Sequence, residues 1–172
     1  IYDKEIGEKI MTDLTVSGLR LKRHEFTGDF GEDTGENTVE KIEIVENESV
    51  RAKVVIYGKI AEIPVKEEIT LYRKIRRIDL TTTIEWKGEE EMVITQSFPI
   101  KVSKPRVSFG VPYGTSTLEN MQPGCGPKAI DETPREIWEK MREIEKWIDV
   151  SDERHGVTVA SNRRSFLIEA PT

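Results

Sequence analysis

The sequence is poor in the residues that most often carry chemistry: its 172 residues include one cysteine, Cys125, and two histidines, His24 and His155. A single cysteine excludes an internal disulfide and any Cys-x-x-Cys metal site. It suits a reducing compartment, so a cytoplasmic location is expected. A metal site needs several His, Cys, Asp or Glu converging on one point, and His24 with Asp29 shortly after it lacks that signature. No Gly-x-Ser-x-Gly elbow occurs, and the glycines form neither a Gly-x-Gly-x-x-Gly fingerprint nor a P-loop. No apolar run approaches the roughly 18 residues that a bilayer span requires. The opening Ile1-Tyr2-Asp3-Lys4-Glu5 lacks the pattern of a signal peptide. The start on Ile1 and the stop at Ala170-Pro171-Thr172, just after a strand-like run, read as cuts through a longer chain.

Charge, by contrast, is abundant. Acids exceed bases by 32 to 26, a net charge of −6, which repels phosphate backbones and argues against a nucleic-acid partner. No membrane partner is expected either. The signs are mixed, as in Lys66-Glu67-Glu68 and from Arg135 to Lys146, and such runs read as solvated faces. Dense Glu, Lys and Arg beside so little cysteine fits a thermophile's protein. The length suits one domain with a real hydrophobic core.

Period two dominates the apolar pattern. Ile78, Leu80, Thr82, Ile84 and Trp86 alternate with Asp79, Thr81, Thr83, Glu85 and Lys87, which predicts a half-buried strand with Trp86 in the core. Val50 to Tyr57 alternates in the same way. Further strands are predicted over Leu14–Phe26, Val39–Glu46, Ala61–Tyr72, Met92–Val102, Arg106–Val111, Gly156–Ser161 and Ser165–Glu169, all dense in Thr, Val and Ile. Asn47-Glu48-Ser49, Gly58-Lys59 and Lys87-Gly88-Glu89 read as the turns between them. Connections this short imply antiparallel neighbours, hence a meander or sandwich. One helix breaks the pattern: Thr133-Pro134-Arg135-Glu136 reads as an N-cap with Pro at the first helical position and a capping-box Glu. On periodicity alone it runs either to Ile148 or only to Met141, with a strand after it. Pro112 to Asp131 is a long loop, and long loops are functional or face a partner.

Candidate site residues follow from these elements. Glycoside hydrolysis needs two placed carboxylates, and Glu32, Asp33, Asp79, Glu85, Asp131, Asp149 and Asp152 are all available, so abundance selects none. Asp79 and Glu85 lie opposite Ile78 and Ile84 and read as solvent-exposed. His24 reads as a strand-end residue, His155 as a turn residue, and Cys125 as an incidental loop thiol. Sugar rings stack on aromatics, which draws attention to Tyr72, Trp86, Trp138, Trp147 and Tyr113. Tyr113, in the loop Gly110-Val111-Pro112-Tyr113-Gly114, is the candidate for facing carbohydrate or a partner domain.

The order of segments resembles a known family. Glu48-Ser49-Val50-Arg51-Ala52, Ile69-Thr70-Leu71-Tyr72, Arg77-Ile78-Asp79-Leu80 and Thr83-Ile84-Glu85-Trp86 are similar to the C-terminal β-region of glycoside hydrolase family 38, the retaining α-mannosidases. Gln96-Ser97-Phe98-Pro99, Val111-Pro112-Tyr113-Gly114, Lys146-Trp147-Ile148-Asp149 and His155-Gly156-Val157-Thr158-Val159 follow in the family's order, over roughly residues 40 to 169. The resemblance implies an all-β, mainly antiparallel supersandwich of the galactose-mutarotase-like type, forming one domain over 1–172. It also implies a strand near Trp147-Asp149, which ends the helix at Met141 and leaves it short, near 134–141. In that family the zinc ligands and catalytic aspartates lie in an N-terminal α/β domain. The resemblance therefore implies no catalytic residue, no metal ligand and no cofactor in this fragment, zinc in the parent enzyme, and that N-terminal catalytic domain as partner. Two other functions stand beside it: an independent carbohydrate-binding module, and a mutarotase-like sugar epimerase by analogy of fold.

Overall fold

The computed structural model describes residues 2–5, 7–11, 18–24, 30–33, 35–88, 92–117, 141–162 and 165–167. In chain order these form β1 (Tyr2–Asp3), β2 (Glu8–Lys9), β3 (Leu19–His24), β4 (Phe30–Asp33) and β5 (Asn37–Asn47). There follow β6 (Arg51–Ile60), β7 (Ile63–Tyr72), β8 (Ile78–Ile84), β9 (Met92–Gln96) and β10 (Arg106–Val111). The last five are β11 (Gly114–Thr117), β12 (Met141–Glu143), β13 (Trp147–Ser151), β14 (Gly156–Ala160) and β15 (Ser165–Leu167). Every pairing among them is antiparallel. The expected all-β, antiparallel class is what the chain adopts. The helix near 134–141 lies outside the described residues except for Met141, which opens β12.

The chain divides into two compact units: Asp13–Pro99, and Ile1–Thr12 with Ile100–Thr172. The first is a two-layer sandwich. One layer is the four-stranded sheet β5-β6-β7-β8, the other the three-stranded sheet β4-β3-β9. Alternation decides which side of the larger sheet faces inward. Ile56, Ile60, Ile63 and Val65 are buried against Leu19 and Leu21 of β3, with Ile84, Met92 and Ile94 packed around them. Each such aliphatic side chain contributes about 1.5–3 kcal/mol by leaving water. Asn37 Nδ2 donates to the Leu19 carbonyl at 2.6 Å, tying the start of β5 to β3.

The opposite face of the same sheet is a lattice of ion pairs. Lys53 and Lys66 flank Glu68, Lys59 meets Glu40, Arg51 meets Glu46, and Lys41 meets Glu43 while lying over the Tyr57 ring. The sequence reading of mixed charge as a solvated face holds here. Glu67 corrects it. It shares the inward parity of Ile63 and Val65, stands between Ile56 and Thr82 across the strands, and is fully buried.

Two other local expectations change. Gly58-Lys59 is not a turn: β6 runs through it to Ile60, which pairs with Ile63, and the reversal falls on Ala61-Glu62 with Ala61 at φ 51°. Trp86 is not core. Strand β8 ends at Ile84, so its alternation no longer governs residue 86, and Trp86 is 37% exposed.

The second unit is built on the sheet β11-β10-β13-β14, with the short ribbons β1-β2 and β12-β15. Register places Phe109, Ile148 and Val159 side by side on one face. There Phe109, Ile144 and Ile148 are buried, with Val107, Val111 and Val159 packed against them.

Candidate functional site

Tyr113 occupies the tip of the hairpin that joins β10 to β11. Val111 pairs with Gly114, which leaves Pro112-Tyr113 as a two-residue reversal inside what had read as one long loop. Proline presets its own φ, and Tyr113 takes the left-handed backbone at φ 65°. Its side chain is exposed to the full extent, at 108% of the reference value. A left-handed conformation costs a non-glycine residue roughly 1–2 kcal/mol, and here no buried contact of the ring offsets it.

The base of this hairpin is close-packed. Gly110 accepts the Glu145 N–H through its carbonyl at 2.8 Å, and the Glu145 carbonyl accepts the Trp147 N–H at 2.8 Å. A methyl group on Gly110 would overlap the Glu145 carbonyl oxygen and lie 2.9 Å from Trp147 Nε1. Only glycine permits that approach. Trp147, a candidate for sugar stacking by sequence, is thus half-buried over Gly110 as part of the hairpin's footing. The arrangement presents one aromatic face on a fixed support. Such a face stacks on a sugar ring or packs into an apolar protein surface; it breaks no bonds.

The remaining candidates are dispersed into separate structural roles. Asp152 and His155 close the turn between β13 and β14. Asp152 accepts N–H donors from Ser103 at 2.9 Å, His155 at 3.0 Å and Arg154 at 2.8 Å. These backbone donors, Ser103 first, hold its carboxyl down at about 2. His155 Nε2 lies 3.1 Å from the Lys101 carbonyl, which confirms the turn reading of that residue. Arg154 reaches Glu8 at 2.7 Å. Asp149 accepts the Ser151 hydroxyl at 2.7 Å and the Thr158 hydroxyl at 2.6 Å.

Asp79, in the sandwich unit, accepts two N–H donors from Arg77 at 2.6 and 3.2 Å and the Tyr72 hydroxyl at 2.7 Å. Those bonds, Arg77 first, lower its carboxyl below the ordinary value. A general acid needs the opposite shift, so neither Asp79 nor Asp152 is poised to donate a proton at neutral pH. Glu85 is exposed. Glu32 and Asp33 lie on β4 and His24 ends β3, while Cys125, Asp131 and Trp138 lie outside the described residues. Among the described residues no three His, Cys, Asp or Glu side chains gather to hold a metal ion.

Sequence reasoning passed over one feature. An open cleft of about 550 Å³ in the sandwich unit is lined by Ser49, Val50, Tyr72, Arg73, Lys74 and Ile75. The signal was present as four cations in five residues, Arg73, Lys74, Arg76 and Arg77, in an acidic chain.

The family model described as the glycosyl hydrolases family 38 C-terminal domain matches residues 15–165. No curated protein and no solved structure matches.

Proposed function

Because this chain belongs to the family of C-terminal domains of glycosyl hydrolases family 38, we propose that it is the non-catalytic β-domain of an α-mannosidase-like enzyme. In that role it supports an N-terminal catalytic domain of the same chain and borders its carbohydrate cleft. The observation that carries the reading is the family match over 15–165, which reaches both compact units. Asp79 and Asp152 are held ionised by their donors, so neither offers the protonated carboxyl that a leaving group needs. Zinc belongs to the parent enzyme in this reading, and the chain works in the cytoplasm. Tyr113 is the residue proposed to meet the cleft or the catalytic domain.

Calorimetric titration with mannose and mannobiose tests the supporting role against an independent carbohydrate-binding module. A supporting domain gives a flat trace into the millimolar range. Saturable heat that disappears in Tyr113→Ala would replace the proposal with the binding module.

A further inference from the structure

Strand β5 is the edge of the four-stranded sheet, eleven residues long. Edge strands usually hide their free backbone groups behind brevity, charge or bulges. Here two register shifts, between Val39 and Lys41 and between Ile44 and Glu46, bound a regular central stretch, Lys41–Ile44. Within it Ile42 pairs with the core residue Ile56 and Ile44 with Val54, so both isoleucines lie on the apolar face of the sheet. Yet they are 63% and 70% exposed. No strand among the described residues covers the outer edge of β5.

The stretch is self-complementary. A two-fold axis perpendicular to a sheet keeps each face on its own side, so an antiparallel pair of identical strands must centre on a residue. Centring on Lys41 sets lysine against lysine; centring on Glu43 sets glutamate against glutamate. Centring on Ile42 sets Ile42 against its own copy and Lys41 opposite Glu43 of the partner subunit, twice by symmetry. Directly opposed unlike charges and β-branched pairs are the favoured cross-strand neighbours.

We propose that the occupant of this edge is a second copy of the same chain, joined β5 to β5 about Ile42 into one continuous eight-stranded sheet. The contact is short and confined between the two register shifts, so the dimer is reversible, with Kd on the order of 10–100 µM. Within each strand Lys41 already meets Glu43, and exchanging those pairs for the same pairs across the two-fold selects the register.

Sedimentation velocity over roughly 5–500 µM reads the association. The wild type is expected to pass from monomer to dimer across that range. Lys41→Glu alone or Glu43→Lys alone opposes like charges twice and weakens dimerisation about tenfold or more. An equimolar mixture of the two variants restores unlike pairing in every position, so it forms a heterodimer at least as tight as the wild type. Lys41 is exposed and Glu43 half-buried, and near-UV circular dichroism checks that each variant keeps its fold. A wild type that stays monomeric throughout overturns the proposal. So does a mixture that associates no better than either variant by itself.

Discussion

Replacing Gly110 by alanine tests whether the footing of the Tyr113 hairpin is as close-packed as its geometry requires. The added methyl overlaps the Glu145 carbonyl oxygen and crowds Trp147 Nε1. Backbone on one side and a bulky ring on the other leave little room to yield. Relief demands that the segment linking β12 to β13 move outward, which stretches the Glu145 N–H bond to the Gly110 carbonyl. Overpacking costs about 1–3 kcal/mol, and weakening that hydrogen bond adds about 1 kcal/mol. The sum, about 2–4 kcal/mol, corresponds to a fall in melting temperature of roughly 5–15 °C. Gly114→Ala is the internal control. It meets no atom within 4 Å and needs no left-handed backbone, so it leaves the melting temperature unchanged or raises it slightly. Differential scanning calorimetry on the three proteins decides. If Gly110→Ala melts within about 1 °C of the wild type, the close approach is not a constraint and the reasoning fails.

Two further predictions concern the same unit. Asp152 has its folded carboxyl lowered from 3.8 to about 2, and a depressed pKa stabilises the fold above the unfolded value and loses that contribution as pH falls toward 2. Asp152→Asn should therefore flatten the acid limb of stability between pH 4 and 2 in urea unfolding monitored by circular dichroism; superimposable limbs would refute the assignment. Tyr113→Gly relieves about 1–2 kcal/mol of left-handed strain against about 0.5–1 kcal/mol of added chain entropy when unfolded. The urea midpoint should thus rise, and a fall would show that the exposed ring is making a stabilising contact.

The strands were legible in the sequence where alternation and punctuation coincide. The sequence places β10 at Arg106–Val111, as found, because Val107, Phe109 and Val111 alternate up to the loop that opens at Pro112. Legibility fails where one signal stands alone. Gly58 carries the mark of a turn, but the pairing of Ile60 with Ile63 extends the strands past it. Trp86 keeps the parity of Ile84 but falls beyond the last ladder bond. Glu67 was readable in principle, since an acid at the inward parity of Ile63 and Val65 is buried whatever its charge suggests, but the neighbouring Lys66 and Glu68 masked it. At the candidate site, the exposure of Tyr113 followed from its neighbours. Its strained backbone and the Gly110–Glu145–Trp147 footing did not, because they depend on segments distant along the chain. The hydrogen-bond partners of Asp79 and Asp149 lie within nine residues along the chain, whereas Asp152 also takes the Ser103 N–H from 49 residues away.

The central claim is that the chain supports glycoside hydrolysis without performing it. Incubation of the purified chain with 4-nitrophenyl α-mannoside, with and without added zinc, measures this directly. The account predicts no release of nitrophenol above the buffer rate in either condition, and zinc-dependent turnover that persists on repurification would contradict it.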